Sequence, residues 1–384
     1  MCFTYFYKIV IKSIQFCINI QNFILICLSK IFTFPKGGNK KKVICVHRVG
    51  QIGDLFCALP AIYKIRKKHP YAYLMLLTSS GSKAPLGLNE LIVSIDWLDE
   101  VIFYDRDYKN IYLAYKNLSS KKIDLWIALP QDRTNFIVEL RNMIFASMVN
   151  SKSVTGFSIN SFPWLEKLQA NNGYFISESE RLLHIVDKDH SAKVSTILSF
   201  NNNGCDSLRD YQERLRIQQK FPLMVMAPGS NRSTNQWPIE RFSIIAERWI
   251  EGGGSLIILG GQKDVNLGNF ISRHCPSKLI VDLTGKLTLI ESLEVMKLAT
   301  LFVGNDSGPM HMAASVGVPC VVAFSARDYP VKWYPSGSKN VIFRKDVACS
   351  PCINEVCTNN NLCLDLISID ELWSGVSKFL IRRD

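Results

Sequence analysis

The first 42 residues contain no aspartate or glutamate, against seven lysines. They hold seven of the chain's twelve net positive charges, which leaves only +5 for the remainder. That remainder lacks the basic stripe interleaved with aromatics that a dedicated nucleic-acid binder carries, so nucleic acid is excluded as a partner. The N-terminal stretch also lacks a clean apolar run. From Ser13 to Ser29 it is free of lysine, but this is shorter than the ~20 residues of a spanning helix, and Gln15, Asn19, Gln21 and Asn22 interrupt it. A small-residue cleavage pattern is missing, which argues against a signal peptide. No repeat of solenoid period and no long low-complexity tract is present.

What is there begins with Lys8, Lys12, Gln15, Asn19 and Asn22, whose alternating spacings of four and three make one narrow polar stripe on a helix. This predicts a helix lying in a membrane interface, followed by a flexible basic linker, Pro35 to Lys42, beside anionic head groups. The alternative is a helix packed on its own protein or on a second subunit. Of twelve cysteines, eight are scattered singly in apolar contexts, as small buried hydrophobes in a reducing compartment, and four cluster near the C-terminus.

The 384 residues predict two domains. Three stretches divide the chain: the helix and linker (1–42), a first domain (43–215) and a second (216–384). In the first, apolar strands Val43 to His47, Tyr73 to Thr78, Val101 to Tyr104 and Ile123 to Leu129 alternate with helices at Leu55 to Lys68, Ile111 to Leu118 and Phe136 to Val149. A helix is expected at Ser191 to Phe200, with the crossover between domains near 200–220. The second domain restarts at Leu223 to Met226, with helix Ile239 to Trp249 and strands Ser255 to Leu259, Leu279 to Val281, Leu301 to Val303 and Cys320 to Phe324. Such alternation gives an α/β fold of doubly wound parallel sheets.

The most informative segment runs from Leu301 to Pro319. A buried strand, Leu301 to Val303, leads into a tight turn, Gly304 to Gly308, and a helix of small residues closed by Gly317. Its turn offers backbone N–H groups, a helix dipole, the Ser307 hydroxyl and, at Gly308, no obstructing side chain, which suits a phosphate or diphosphate. Read alone, the turn is more simply an ordinary one in which Asp306 or Ser307 caps the helix.

Asn305-Asp306-Ser307-Gly308-Pro309-Met310-His311-Met312-Ala313-Ala314, between an apolar strand and Gly-Val-Pro, closely resembles the family-9 glycosyltransferases, the heptosyltransferases of lipopolysaccharide core assembly. Over roughly residues 43 to 380, three further motifs fit. Arg48-x-x-x-Ile52-Gly53-Asp54 matches the family's N-terminal motif, which implies Asp54 as the general base that takes the acceptor's proton during inverting transfer; its plain alternative is a helix cap. The Ala227 to Pro238 loop, with Ser230, looks like the family's Pro-Gly-Ser loop leading to Lys-x-Trp-Pro, except that Asn235 stands where the family has a lysine that meets the donor. Arg232 is the candidate substitute. Leu283-Thr284-Gly285-Lys286-Leu287-Thr288 resembles a loop beside the donor cleft and lacks the upstream glycine of a P-loop.

The resemblance implies the GT-B architecture, two facing Rossmann-like domains with a cleft between them, and metal-independent chemistry without a cofactor. It implies donor contacts from Asp306, Ser307, Gly308 and His311, and a carboxylate on the ribose hydroxyls, for which Asp264 is the candidate alongside a helix-capping role. Arg48 and Arg133 are candidates for an anionic acceptor. Cys349-x2-Cys352-x4-Cys357-x5-Cys363 is compact enough for a structural zinc or a small disulfide knot, with reduced, unliganded thiols as the alternative. The implied reaction moves a heptose or related sugar from a nucleotide donor, ADP-heptose foremost, to a lipid-borne oligosaccharide at the cytoplasmic face of the inner membrane. A different nucleotide sugar, or a silent nucleotide-sugar-binding protein, is the alternative that Asn235 raises.

Overall fold

A computed structural model describes residues 17–30, 42–79, 88–104, 108–159, 175–187 and 222–380. The chain divides into two compact units, 1–84 with 95–193, and 85–94 with 194–384. The expected helix at Ser191 to Phe200 lies outside the described residues.

In the first unit, residues 17–30 form helix α1. Strands β1 (Val43–His47), β2 (Tyr73–Thr78), β3 (Glu100–Phe103), β4 (Leu125–Ala128) and β5 (Val154–Thr155) form an all-parallel sheet in the order β3-β2-β1-β4-β5. Helix α2 (Ile52–Lys68) follows β1, α4 (Tyr108–Ser119) follows β3, α5 (Phe136–Met148) follows β4, and α6 (Glu178–Val186) packs against α2. Between β2 and β3, the short helix α3 (Leu88–Val93) belongs with the second unit. Strand residues of period two, Cys45, Met75, Leu77, Ile102, Trp126 and Ala128, share one core cluster with α1, α4 and α5. Helix α2 begins three residues earlier than the sequence predicts, so Pro60 lies well inside it and not in its first turn.

α1 differs in an instructive way from expectation. Ile18 and Leu25 are buried, and Leu25 and Leu28 join that core cluster. Asn22, part of the polar stripe, faces the protein: its amide donates to Ile159 O at 3.1 Å, and Ile159 N–H donates to its Oδ1 at 2.9 Å. One face of the helix therefore packs on its own unit, and Asn22 satisfies backbone groups there. No helix among the described residues is long and apolar enough to cross a membrane.

In the second unit, β6 (Leu223–Ala227), β7 (Ser255–Ile258), β8 (Ile280–Asp282), β9 (Leu301–Asn305), β10 (Cys320–Phe324) and β11 (Val341–Arg344) are parallel, in the order β8-β7-β6-β9-β10-β11. Helices α7 (Ile239–Glu251), α8 (Val265–His274), α9 (Leu289–Lys297), α10 (Gly308–Ser315), α11 (Leu362–Asp365) and α12 (Ile369–Val376) complete it. Its main core joins Met224, Phe242, Trp249, Leu256, Val303, Val321 and Leu372. Both units are doubly wound parallel α/β sheets, as the alternation of elements predicts. In each, the order of strands reverses between two neighbours, β1 and β4 or β6 and β9. Loops leaving the carboxyl ends of such a pair diverge, and that is where open α/β sheets hold ligands.

Candidate active-site residues in the two units

At the first switch point, the β1–α2 turn presents Asp54. Gln51 is the N-cap of α2 and Asp54 stands at the third helical position, where its Oδ2 accepts the Gln51 N–H at 2.8 Å. The turn admits this only because residue 50 is glycine: a Cβ there would lie 2.5 Å from the Asp54 Cβ. Arg48 approaches the other carboxylate oxygen at 3.4 Å. Its guanidinium also donates to Pro130 O at 2.7 Å and to Glu178 Oε1 at 3.2 Å. Arg181 closes the network with bonds of 2.7 and 2.8 Å to Glu178 and one of 2.7 Å to Pro130 O.

Arg48 is only 1% exposed. It ties the β1 turn, the β4 loop and α6 together, and it positions Asp54. Arg133, on the β4 loop, has a left-handed backbone (φ 57°) and lies 3.5 Å from Asp132. That conformation is costly for arginine. Glu178 lies 130 residues from Arg48, and no motif announces it.

At the second switch point, β6 and β9 send out the loop 228–238 and the turn 306–308. Asn305, fully buried, joins them: its amide donates to Pro228 O at 2.6 Å and its Oδ1 accepts the Trp237 N–H at 3.0 Å. Ser307 is the N-cap of α10, but its hydroxyl donates to Asn305 O at 3.3 Å, so no side chain caps the helix. The positive end of α10 thus keeps its capacity for an anion. Asn235 is 5% exposed and donates to both Asp306 O and Oδ2 at 3.0 Å. Burial pushes the Asp306 carboxyl up to about 7, with Asp328 adding to the rise and Arg327 and Arg232 opposing it. Asn235 therefore braces the Asp306 turn, and in this state its amide is committed there and not to a donor. His311 is buried one turn into α10, and burial lowers its imidazole to about 4, so the ring is neutral near pH 7.

Ser230 accepts the Arg232 N–H at 3.4 Å. The Arg232 side chain bonds Glu355 at 3.1 Å, and Arg327 holds the other oxygen of Glu355 at 3.0 Å. This Arg-Glu-Arg bridge, unforeseen from the sequence, draws its carboxylate from the cysteine-rich loop.

Asp264 accepts the Gly261 N–H at 2.8 Å, and burial raises its pKa. It lies where a Cβ on Gly229 or on Gly260 would collide with it. The β7–α8 turn thus repeats the β1–α2 turn, with Gly260 and Asp264 four residues apart like Gly50 and Asp54. Asp264 holds the turn, as its capping alternative has it, and brings it against the Pro-Gly-Ser loop.

Cys349, Cys352, Cys357 and Cys363 are free thiols lining one small pocket with Thr234 and Arg327. Cys357 Sγ accepts the N–H groups of Asn359 and Asn361 at 3.3 and 3.2 Å. Among the described residues, no group of three or more His, Cys, Asp or Glu is arranged to hold a metal ion.

The sequence pattern of "Glycosyltransferase family 9 (heptosyltransferase)" matches residues 180–363, which contain the whole second switch point. The second unit thus carries the pattern of glycosyltransferase family 9. Lipopolysaccharide heptosyltransferase 3 of Escherichia coli is 23% identical over 333 residues, 85% of this chain and 96% of that protein. Among solved structures, the family-9 glycosyltransferase of Veillonella parvula DSM 2008 superposes with a TM-score of 0.72 at 19% identity, covering 90% of this chain and 99% of that one. E. coli ADP-heptose lps heptosyltransferase II follows with a TM-score of 0.63 at 15% identity, covering 88% and 98%. The chain therefore has the two Rossmann-like domains of the GT-B class, and the proteins it is similar to are glycosyltransferase enzymes.

Proposed function

We propose that this glycosyltransferase transfers a heptose from ADP-heptose, with inversion, to a lipid-borne lipopolysaccharide core acceptor at the cytoplasmic face of the inner membrane. The similarity to heptosyltransferases, one of them described by ADP-heptose, supports the donor and the acceptor class. The observation that carries the chemistry is the Asp54 carboxylate, held at the first switch point by the Gln51 N–H and Arg48.

In this reading the acceptor hydroxyl oxygen attacks the anomeric carbon, the bond from that carbon to the diphosphate oxygen breaks, and Asp54 takes the hydroxyl proton. ADP leaves as an anion, stabilised by the uncapped end of α10, by Ser307 and Gly308, and by Arg232 and Arg327. Ser230 and Asp264 shape the adjoining loops, His311 offers a neutral ring, and Arg133 meets the anionic acceptor.

ADP release is expected with ADP-heptose and an inner-core acceptor, and its loss in Asp54→Ala. Release that survives Asp54→Ala would remove Asp54 as the base. A second reading, the same reaction with another nucleotide sugar, is favoured by Asn235, whose amide supplies no charge; release from a different donor alone would establish it.

A further inference from the structure

Three helices cover one face of the first unit's sheet, and all three are apolar on the side turned away from it. Leu25 and Leu28 of α1, Ala114 and Leu118 of α4, and Met143 and Ala146 of α5 meet the same core cluster. On the opposite side of α1, Phe23 is 66% exposed and Ile26 50%. α4 turns out Tyr112 and Leu113, with Tyr112 62% exposed. α5 turns out Ile137, Ile144 and Met148, which with Arg141 follow the spacing four, three, four of a single helix stripe. Isolated exposed hydrophobics are ordinary, but nine of the seventeen large ones in the described residues fall on these three helices.

The charges on this layer are of one sign. Lys30, Lys109, Lys116 and Arg141 are exposed. Neither α1 nor α4 contains an acid, and the single acid of α5, Glu139, is buried and accepts the Thr134 hydroxyl at 2.8 Å. The sequence around α1 adds six more lysines and again no acid. We propose that the outer face of α1, α4 and α5 is a docking surface for an anionic lipid bilayer: the aliphatic and aromatic side chains enter the head-group boundary and the cations pair with lipid phosphates. A second copy of the chain suits it poorly, because a two-fold contact would set a face whose exposed charges are these lysines and Arg141 against an identical one. The inference goes beyond the reaction and does not depend on which donor is used.

The test is sedimentation of the full chain with vesicles of phosphatidylcholine alone and of phosphatidylcholine with phosphatidylglycerol. Wild type is expected to sediment with the anionic vesicles and to be released by salt. Ile144→Asp with Met148→Asp, and separately Lys109→Glu with Lys116→Glu, should each weaken binding about tenfold without moving the melting temperature. Leu298→Asp, an exposed position of the second unit, should bind as wild type does. The lysine pair keeps the test valid if the α5 variant fails to fold. Unchanged binding in the lysine variant, or equal binding of wild type to neutral vesicles, would overturn the proposal. So would a wild-type dimer, seen by light scattering, that ignores vesicles and is split by the α5 variant.

Discussion

Asn235 donates its amide to Asp306 twice, to the backbone oxygen and to Oδ2, both at 3.0 Å. The amide holds the turn but brings no charge, and the Asp306 carboxyl titrates at about 7. Above that pH a carboxylate forms beside the positive end of α10 and opposes an incoming diphosphate. ADP affinity is therefore expected to fall severalfold between about pH 6 and about pH 8. In Asn235→Lys, a cation against Asp306 pulls its pKa down and flattens this dependence. Calorimetric titration at the two pH values decides; a pH-independent wild type would refute the account.

Glu355 occupies Arg232 and Arg327 together, yet is 70% exposed. An exposed pair of this kind contributes only about 0.2–1 kcal/mol, so a diphosphate displaces it at little cost. Glu355→Gln should tighten ADP binding a few-fold, and Arg232→Ala should weaken it by about tenfold. Equal affinity in all three proteins would remove both arginines from the donor site.

Removing the Arg48 side chain leaves Glu178 buried with Arg181 as its remaining cation among the described residues and takes the link from the β1 turn to the β4 loop. Arg48→Ala is expected to cost about 3–5 kcal/mol in stability, read by denaturant unfolding, because a buried carboxylate loses a partner. It should also lower turnover by releasing Asp54, an effect that Arg48→Lys restores only in part.

His47 and His311 are both held at about 4 by burial, with Arg141 and Arg48 adding to the effect at His47. The unfolded imidazole titrates near ~6.5, so between these values the unfolded chain binds more protons than the folded one. Their contribution to stability is complete above the unfolded value and is lost as pH falls towards about 4. The raised carboxyls of Asp306 and Glu139, each at about 7, act in the opposite sense. Their neutral forms favour folding at low pH, and that advantage disappears as pH rises through about 7. On going from neutral to mildly acidic pH, the melting temperature of His311→Gln should rise relative to that of wild type, whichever way the sum of the four groups moves both proteins.

Much of the fold was legible because parallel strands buried on both faces read as apolar runs, and because glycine turns separate them from helices. The strand-turn-helix units around Asp54 and Asp306 declared themselves this way. Glu178 did not, since a buried carboxylate whose partners lie far along the chain leaves no local pattern. Arg327 and Glu355 were hidden because Glu355, though exposed, joins arginines that lie far from it along the chain. The polar stripe of α1 was visible, but period alone does not say what a stripe faces: Asn22 satisfies the Ile159 backbone, while Phe23 points outward. Asn235 was recognised as a departure from the family, and its partner Asp306 became evident only once β6 and β9 lay side by side.

The glycines four residues before Asp54 and before Asp264 have a consequence for inheritance. Gly50 has no functional group, but the smallest possible side chain there would push into the Asp54 carboxylate. A single-base change that makes residue 50 an alanine would thus force Asp54 or its turn to shift, while every residue of the chemical apparatus stayed in the sequence. Gly260 guards Asp264 by the same exclusion. A survey of this enzyme that scored only its reactive side chains would pass both lesions as healthy.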